Sequence, residues 1–282
     1  MRDIRLIATD LDGTLLDRDG FIRLYTRRTL KECMDRGITV MLVSGRCHNT
    51  ARMPAVQARL DFVIASSNGA RIDKTPYGPT IYERLMDKNE CAAVYEILRD
   101  CPGNIYSYIR GINFGRLCDT DSGEKRIRID GLADEPLQWI YNDVERMEAE
   151  GLENVHKFEI YDKRPELLAE YAKRLTDIGM LVTSSNPEDI EIQPMDSSKG
   201  LAVRKMAEML GIRRDQIMCF GDNTNDASML EEAGIGVAMA NAVPELKAIA
   251  DYIAPPNCFE GEARTIRSLV FGEKDIWPEI AQ

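Results

Sequence analysis

An apolar run, Ile4-Arg5-Leu6-Ile7-Ala8-Thr9, ends abruptly in Asp10-Leu11-Asp12-Gly13-Thr14-Leu15. A run this short, with no helical spacing, reads as a strand buried on both faces, and the Gly-Thr that follows forces a turn. Two carboxylates therefore stand at the carboxyl end of a central strand, where open α/β sheets bind their ligands. Turn preference alone explains one Asp-Gly. It does not explain two like charges held together at the end of a buried strand, where each makes the other harder to ionise unless a cation or a proton intervenes. The pair points to a metal-dependent site.

The following segments repeat that grammar. A helix is predicted over Thr26–Arg36, closed by Gly37, then a strand over 38–43 that ends in Ser44-Gly45-Arg46. A helix over Asn49–Arg59 leads to a third strand, Phe62–Ala65, and the loop Ser66-Ser67-Asn68-Gly69-Ala70. Alternation of strand and helix marks a parallel sheet with right-handed crossovers. At a strand's carboxyl end, the Ser44 hydroxyl and free backbone N–H groups form a small anion cradle beside Asp10.

From about Arg84 the pattern changes to half-buried alternation. Helices are expected over Lys88–Arg99, Glu135–Glu150 and Pro165–Asp177, with strands over Asn104–Arg110, Asn113–Cys118, Val155–Tyr161, Met180–Thr183 and Ile190–Gln193. This describes a mixed α+β unit whose sheet leaves one face open. The parallel grammar resumes at Ser198-Lys199-Gly200. Lys199 falls in the first turn of a helix that Gly211 ends, where its charge opposes the helix dipole at a cost of about a few tenths of a kcal/mol, which suggests a compensating anion. A buried strand, Gln216–Gly221, then ends in Asp222-Asn223-Thr224-Asn225-Asp226. Helix capping accounts for one or two of these polar side chains. The surplus is the oxygen-rich set a hard cation such as magnesium takes.

Composition excludes several classes. The net charge of −11 opposes nucleic-acid binding, which needs a clustered basic face. Only His48 and His156 are present, so histidine-based metal sites and Ser-His-Asp schemes find no support. Seven cysteines without a C-x-x-C pair read as reduced thiols. No signal sequence and no long apolar span is visible, so a cytoplasmic protein without membrane contact is expected.

Together these loops, D-L-D-G-T-L at 10–15, S-G-R at 44–46, S-N-G-A at 67–70, the Lys199 helix start and G-D-N-T-N-D at 221–226, resemble the haloacid dehalogenase superfamily, and within it the Cof-type phosphatases with a large cap. The resemblance implies a Rossmann-like α/β core at 1–83 and 187–282, interrupted by an inserted α+β cap at 84–186. It implies Asp10 as nucleophile, Asp12 as acid and then base, and Lys199 as a catalytic cation. It also implies Mg2+ held by Asp10, Asp12 (through its backbone carbonyl) and Asp222. Substrate contacts are implied at Leu11, Ser44, Gly45, Arg46, Asn68, Lys199 and Asn225, while Asp226 supports the acidic loop.

The expected reaction is magnesium-dependent hydrolysis of a small phosphorylated metabolite such as a sugar phosphate, through an aspartyl-phosphate. A sugar phosphomutase, or a regulator that binds phosphate without turnover, are the alternatives. Tyr106, Tyr108, Arg110, Arg116 and Lys125 are candidate cap contacts, and each alone could equally belong to a solvated strand face.

Overall fold

The computed structural model describes residues 3–109, 112–116, 126–130, 136–142 and 154–274. The chain opens with β1 (Leu6–Thr9), β2 (Thr39–Val43), β3 (Val63–Ser66), β4 (Arg71–Asp73) and β5 (Thr80–Glu83). A second sheet follows: β6 (Asn104–Ile109), β7 (Ile112–Arg116), β8 (Arg126–Asp130), β9 (Pro136–Asn142), β10 (Val155–Tyr161), β11 (Met180–Thr183) and β12 (Asp189–Pro194). Then β13 (Ile217–Gly221), β14 (Ile235–Met239) and β15 (Tyr252–Ala254) rejoin the first sheet, whose order is β15-β14-β13-β1-β2-β3-β4-β5.

β1 pairs in parallel with both β13 and β2, Ile7 standing against Met218 on one side and Val40 on the other. All four of its residues are buried, which is why the sequence there is almost uniformly apolar. The chain builds outward from β1 in one direction and later in the other, so the loops after β1, β2 and β13 open at a topological switch point.

In the second sheet, Ile105, Phe158, Ile160, Ile190 and Ile192 pack in one apolar cluster with Val94, Leu98, Leu168 and Tyr171 of the helices Lys88–Leu98 and Pro165–Asp177. The alternate residues Lys157, Glu159 and Glu191 therefore point to the opposite face, toward the loops of the first sheet. Arg84, where the chain leaves the first sheet, donates to Asp196, where it returns, at 2.8 Å.

Several expectations change. β12 is hydrogen-bonded to β10 and β11, so the return to the first sheet lies after Pro194 and not near Asn186-Pro187. The boundary between 186 and 187 is corrected accordingly, because that pairing is non-local and leaves no local mark. The helix expected over Asn49–Arg59 is two short ones, His48–Ala51 and Met53–Ala58, with Pro54 opening the second. β4 and β5 add an antiparallel edge that the sequence reading missed. Within the predicted helix Glu135–Glu150, residues Pro136–Asn142 are a strand, paired with β8 and β7. The local Trp139-Ile140-Tyr141 favours that state. The remainder of that helix, Arg110, Cys118 and Lys125 lie outside the described residues.

Beneath β1 lies a buried carboxyl. Thr9 Oγ1 is 2.8 Å from Glu262 Oε2 and 3.0 Å from the Asp10 carbonyl oxygen. One hydroxyl hydrogen cannot serve both acceptors, and a proton on Glu262 resolves the conflict: the carboxyl donates to Thr9, which donates to Asp10. Burial pushes Glu262 up to about 8, outweighing the Thr9 hydrogen bond. The folded chain thus holds a proton that the unfolded chain, with a value near 4.5, has released. This contribution to stability is complete below the unfolded value and is lost as pH rises through the folded one. Glu262→Gln is expected to remove a slope of up to about 1.4 kcal/mol per pH unit in that window. Thermal denaturation of both proteins at pH 5 and pH 8 checks this, and equal pH dependence would count against a protonated Glu262.

Candidate active site

The turn after β1, the Ser44 loop after β2, the acidic loop after β13 and the start of the helix Lys199–Leu210 meet around one cavity of about 180 Å³. From the first sheet it is lined by Asp10, Asp12, Ser44, Gly45, Arg46, Lys199 and Asn225. From the second sheet come Tyr108, Lys157, Glu159, Asp189 and Glu191.

Local packing explains the convergence. Gly13 has φ +81°, and a Cβ there would sit 2.2 Å from Asp222 Oδ2, so only glycine lets the β1 turn close onto the acidic loop. Thr14 completes that joint by donating to Asp222 Oδ1 at 2.7 Å. At Gly69, φ +88°, a Cβ would meet Ser198 O at 2.6 Å, so this glycine admits the helix start that carries Lys199. Ser198 caps that helix, its Oγ accepting from Leu201 N at 3.1 Å.

Lys199 is 2% exposed, and its Nζ donates to Asp10 Oδ1 and to Asp226 Oδ1, each at 2.6 Å. The anion that its unfavourable helix position called for is therefore present twice. Burial works against the lysine's charge, yet Asp10 and Asp226 hold its pKa above the ordinary value. Burial lifts Asp10 well above the usual carboxylate range, Lys199 opposes that, and Asp226, Asp222 and Asp12 add to it. Burial and Asp226 push Asp222 up to about 6.

Carboxylate oxygens of Asp10, Asp222 and Asp226 lie within 4.8 Å of one another. Three carboxylates face one lysine, and all the donors are oxygen, the set a hard divalent cation takes. Both Asp226 oxygens are already engaged: Oδ1 accepts from Lys199, and Oδ2 from the N–H groups of Asp222 and Asn223 at 2.9 and 3.0 Å. Asp226 therefore braces the loop and the lysine, and Asp10 and Asp222 are the carboxylates free to hold an ion.

The Asp12 carboxylate is not in this group. Arg46 forks it, Nε to Oδ2 at 2.7 Å and Nη2 to Oδ1 at 2.5 Å. Leu11 and Asn68, expected to touch substrate, do not line the cavity with their side chains. Leu11 is packed in the core, and the Asn68 amide donates to Glu191 Oε2 and Gln193 Oε1, each at 3.0 Å, joining the first sheet's loops to β12. The turn that presents this amide is strained, Ser67, Asn68 and Gly69 all being left-handed, with φ of 50°, 52° and 88°. Of the candidate second-sheet contacts, Tyr108 reaches the cavity. Arg116 does not; its guanidinium donates to the carbonyls of Leu98, Arg99 and Cys101. Both histidine rings lie against carboxylates elsewhere, His48 Nδ1 2.9 Å from Asp73 and His156 Nε2 3.0 Å from Glu83.

Lys157, Glu159, Asp189 and Glu191 were missed. Their alternation with Phe158 and Ile190 reads as a solvated face, and only burial reveals that the face is covered: Lys157 is 1% exposed.

The family model described as haloacid dehalogenase-like hydrolase matches residues 7–266, and the chain belongs to that family. It is 30% identical over 291 residues to a 5-amino-6-(5-phospho-D-ribitylamino)uracil phosphatase of Bacillus subtilis, covering 96% of this chain and 99% of that one. A second phosphatase of that description from the same organism is 28% identical over 271 residues, covering 95% and 96%. The structure of a haloacid dehalogenase-like hydrolase from B. subtilis superposes with a TM-score of 0.82 at 24% identity, covering 95% of this chain and all of that one. The chain is a phosphatase of this family.

Proposed function

We propose that the protein hydrolyses the monophosphate of a small sugar or polyol, with Asp10 as nucleophile and Asp12 as acid and base, beside a magnesium ion held by Asp10 and Asp222. The observation that carries this reading is the Lys199 ammonium, clamped at 2.6 Å to a buried Asp10 on the wall of a cavity that also holds Ser44 and Asn225. The two relatives named for a phospho-D-ribityl substrate act on a phosphorylated polyol chain, which favours the same class here. The bound ion would neutralise charge on the phosphoryl oxygens and fix their direction.

The rest is the work of the chain's own residues. An Asp10 oxygen attacks phosphorus in line with the ester oxygen; the Asp10–phosphorus bond forms as the phosphorus–ester bond breaks. Lys199, the Ser44 hydroxyl and Asn225 hold the three non-bridging oxygens that move with the phosphorus. An incoming phosphoryl oxygen competes for the Arg46 guanidinium and frees Asp12 to carry a proton. Asp12 gives that proton to the leaving oxygen, then takes one from the water that attacks the aspartyl-phosphate. Phosphate leaves and Asp10 is regenerated. The second sheet acts as a cap that excludes bulk water while this occurs.

With an aryl phosphate and magnesium, the purified protein is expected to release inorganic phosphate. EDTA is expected to lower the rate by about a hundredfold or more, and added magnesium to restore it. Activity indifferent to chelation would rule out the metal assignment. Interconversion of sugar phosphates with little free phosphate would instead favour a phosphomutase.

Among the described residues, no helix is long and apolar enough to cross a membrane. The described cysteines are free thiols.

A further inference from the structure

The second sheet presents a charged face to the cavity. Glu159 stands opposite Glu191, and Lys157 opposite Tyr108, so their side chains share that face. Lys157 Nζ sits 4.3 Å from the centre of the Tyr108 ring, is bonded to Glu191, and lies 3.3 Å from Glu159 Oε2. The Tyr108 hydroxyl donates to the same Glu159 oxygen at 2.5 Å. Both donors are thus spent on Oε2, and Glu159 Oε1 has no partner among the described residues.

The neighbouring carboxylates are already satisfied. Asp189 accepts from the N–H groups of Ser185 and Asn186 on one oxygen, and from the Ser185 hydroxyl and the Asn186 amide on the other. Glu191 accepts from Lys157 and from Asn68. The second-sheet wall of the cavity therefore carries three carboxylates against one lysine, and Glu159 Oε1 is the one oxygen of the three that has no hydrogen bond among the described residues.

We propose that Glu159 determines leaving-group specificity: its free Oε1 accepts a hydrogen bond from a hydroxyl or amine of the leaving group, and the surrounding carboxylates repel substrates that carry a second anionic group. This inference rests on the phosphatase reading above. An acceptor desolvated by a leaving group that brings no donor is left unpaired, so the site favours donor-bearing groups and disfavours bare aromatic ones. A carboxylate or second phosphate placed beside Glu159, Asp189 and Glu191 meets like charge in a confined, partly dehydrated space. Tyr108 and Lys157 act as positioning residues, fixing the glutamate's plane so that Oε1 faces the cavity.

The test compares kcat/KM of the magnesium-loaded protein for three kinds of substrate. These are the fastest of ribitol 5-phosphate, glucitol 6-phosphate and ribose 5-phosphate; 6-phosphogluconate; and p-nitrophenyl phosphate. In Glu159→Gln the ratio of the neutral polyol or sugar phosphate to p-nitrophenyl phosphate is expected to fall by about ten- to a hundredfold, the scale of one hydrogen bond to a charged acceptor. Discrimination against 6-phosphogluconate is expected to narrow in the same variant. Tyr108→Phe is expected to shift both ratios the same way by a smaller factor. Ratios cancel any loss of folded protein, so ratios within twofold of wild type in both variants overturn the inference while leaving the phosphatase standing. A wild-type protein that releases phosphate from none of the substrates overturns both.

Discussion

Asp10→Asn is expected to lower kcat for any phosphomonoester by about a thousandfold or more while leaving the protein folded. The carboxylate it removes is the proposed nucleophile. It is also one partner of Lys199 and one of the three carboxylates within 4.8 Å, so the substitution takes away the proposed attack, the lysine's orientation and one of the proposed ion's ligands together. Folding should survive because the amide is isosteric and Asp226 still pairs with the lysine at 2.6 Å. Steady-state phosphate release by the variant and by wild type is the comparison; a variant within tenfold of wild type would remove Asp10 from the chemistry.

Lys199→Met should cost both activity and stability. At 2% exposure the ammonium is the only described cation that bonds Asp10 or Asp226, and deleting it leaves buried carboxylates without their counter-charge. Breaking a buried pair in this way costs about 3–5 kcal/mol. Magnesium, which the proposed site places on Asp10 and Asp222, is expected to return part of that loss, whereas it should stabilise the wild type less. Urea unfolding with and without magnesium reads both effects, and a midpoint unchanged by the substitution would show that the lysine is not holding these charges. Lys199→Arg is a poor rescue, since the planar fork needs room that a site this closed lacks.

What could be read in advance follows from how local each signal is. β1 was legible because a strand buried on both faces must be apolar at every position, and Asp10 and Asp12 interrupt that rule abruptly. Lys199 was legible because its charge sits at the unfavourable end of a helix, which suggests a compensating anion, and the structure supplies Asp10 and Asp226. The edge strands Arg71–Asp73 and Thr80–Glu83 were not, since three or four residues do not establish a period. Pairing between distant segments left no trace either. Nothing near Asn186-Pro187 indicates that Asp189–Pro194 will dock on β10, and nothing in His156-Lys157-Phe158-Glu159 indicates that the polar side of that strand will be covered by the loops of another sheet. The ionic bond of Arg46 to Asp12 was hidden for the same reason, although each residue had been singled out.

The most direct measurement of the central claim is to catch the phosphoryl group on Asp10. In Asp12→Asn an aryl phosphate, whose leaving group needs little protonation, should still phosphorylate Asp10, while hydrolysis stalls for want of the base. After acid quench and proteolysis, mass spectrometry is expected to find the phosphoryl adduct on Asp10 in the Leu6–Leu15 region, released by hydroxylamine and absent from the Asp10→Asn/Asp12→Asn double variant. An adduct on another residue, or its persistence in the double variant, would contradict the assignment of Asp10 as the nucleophile.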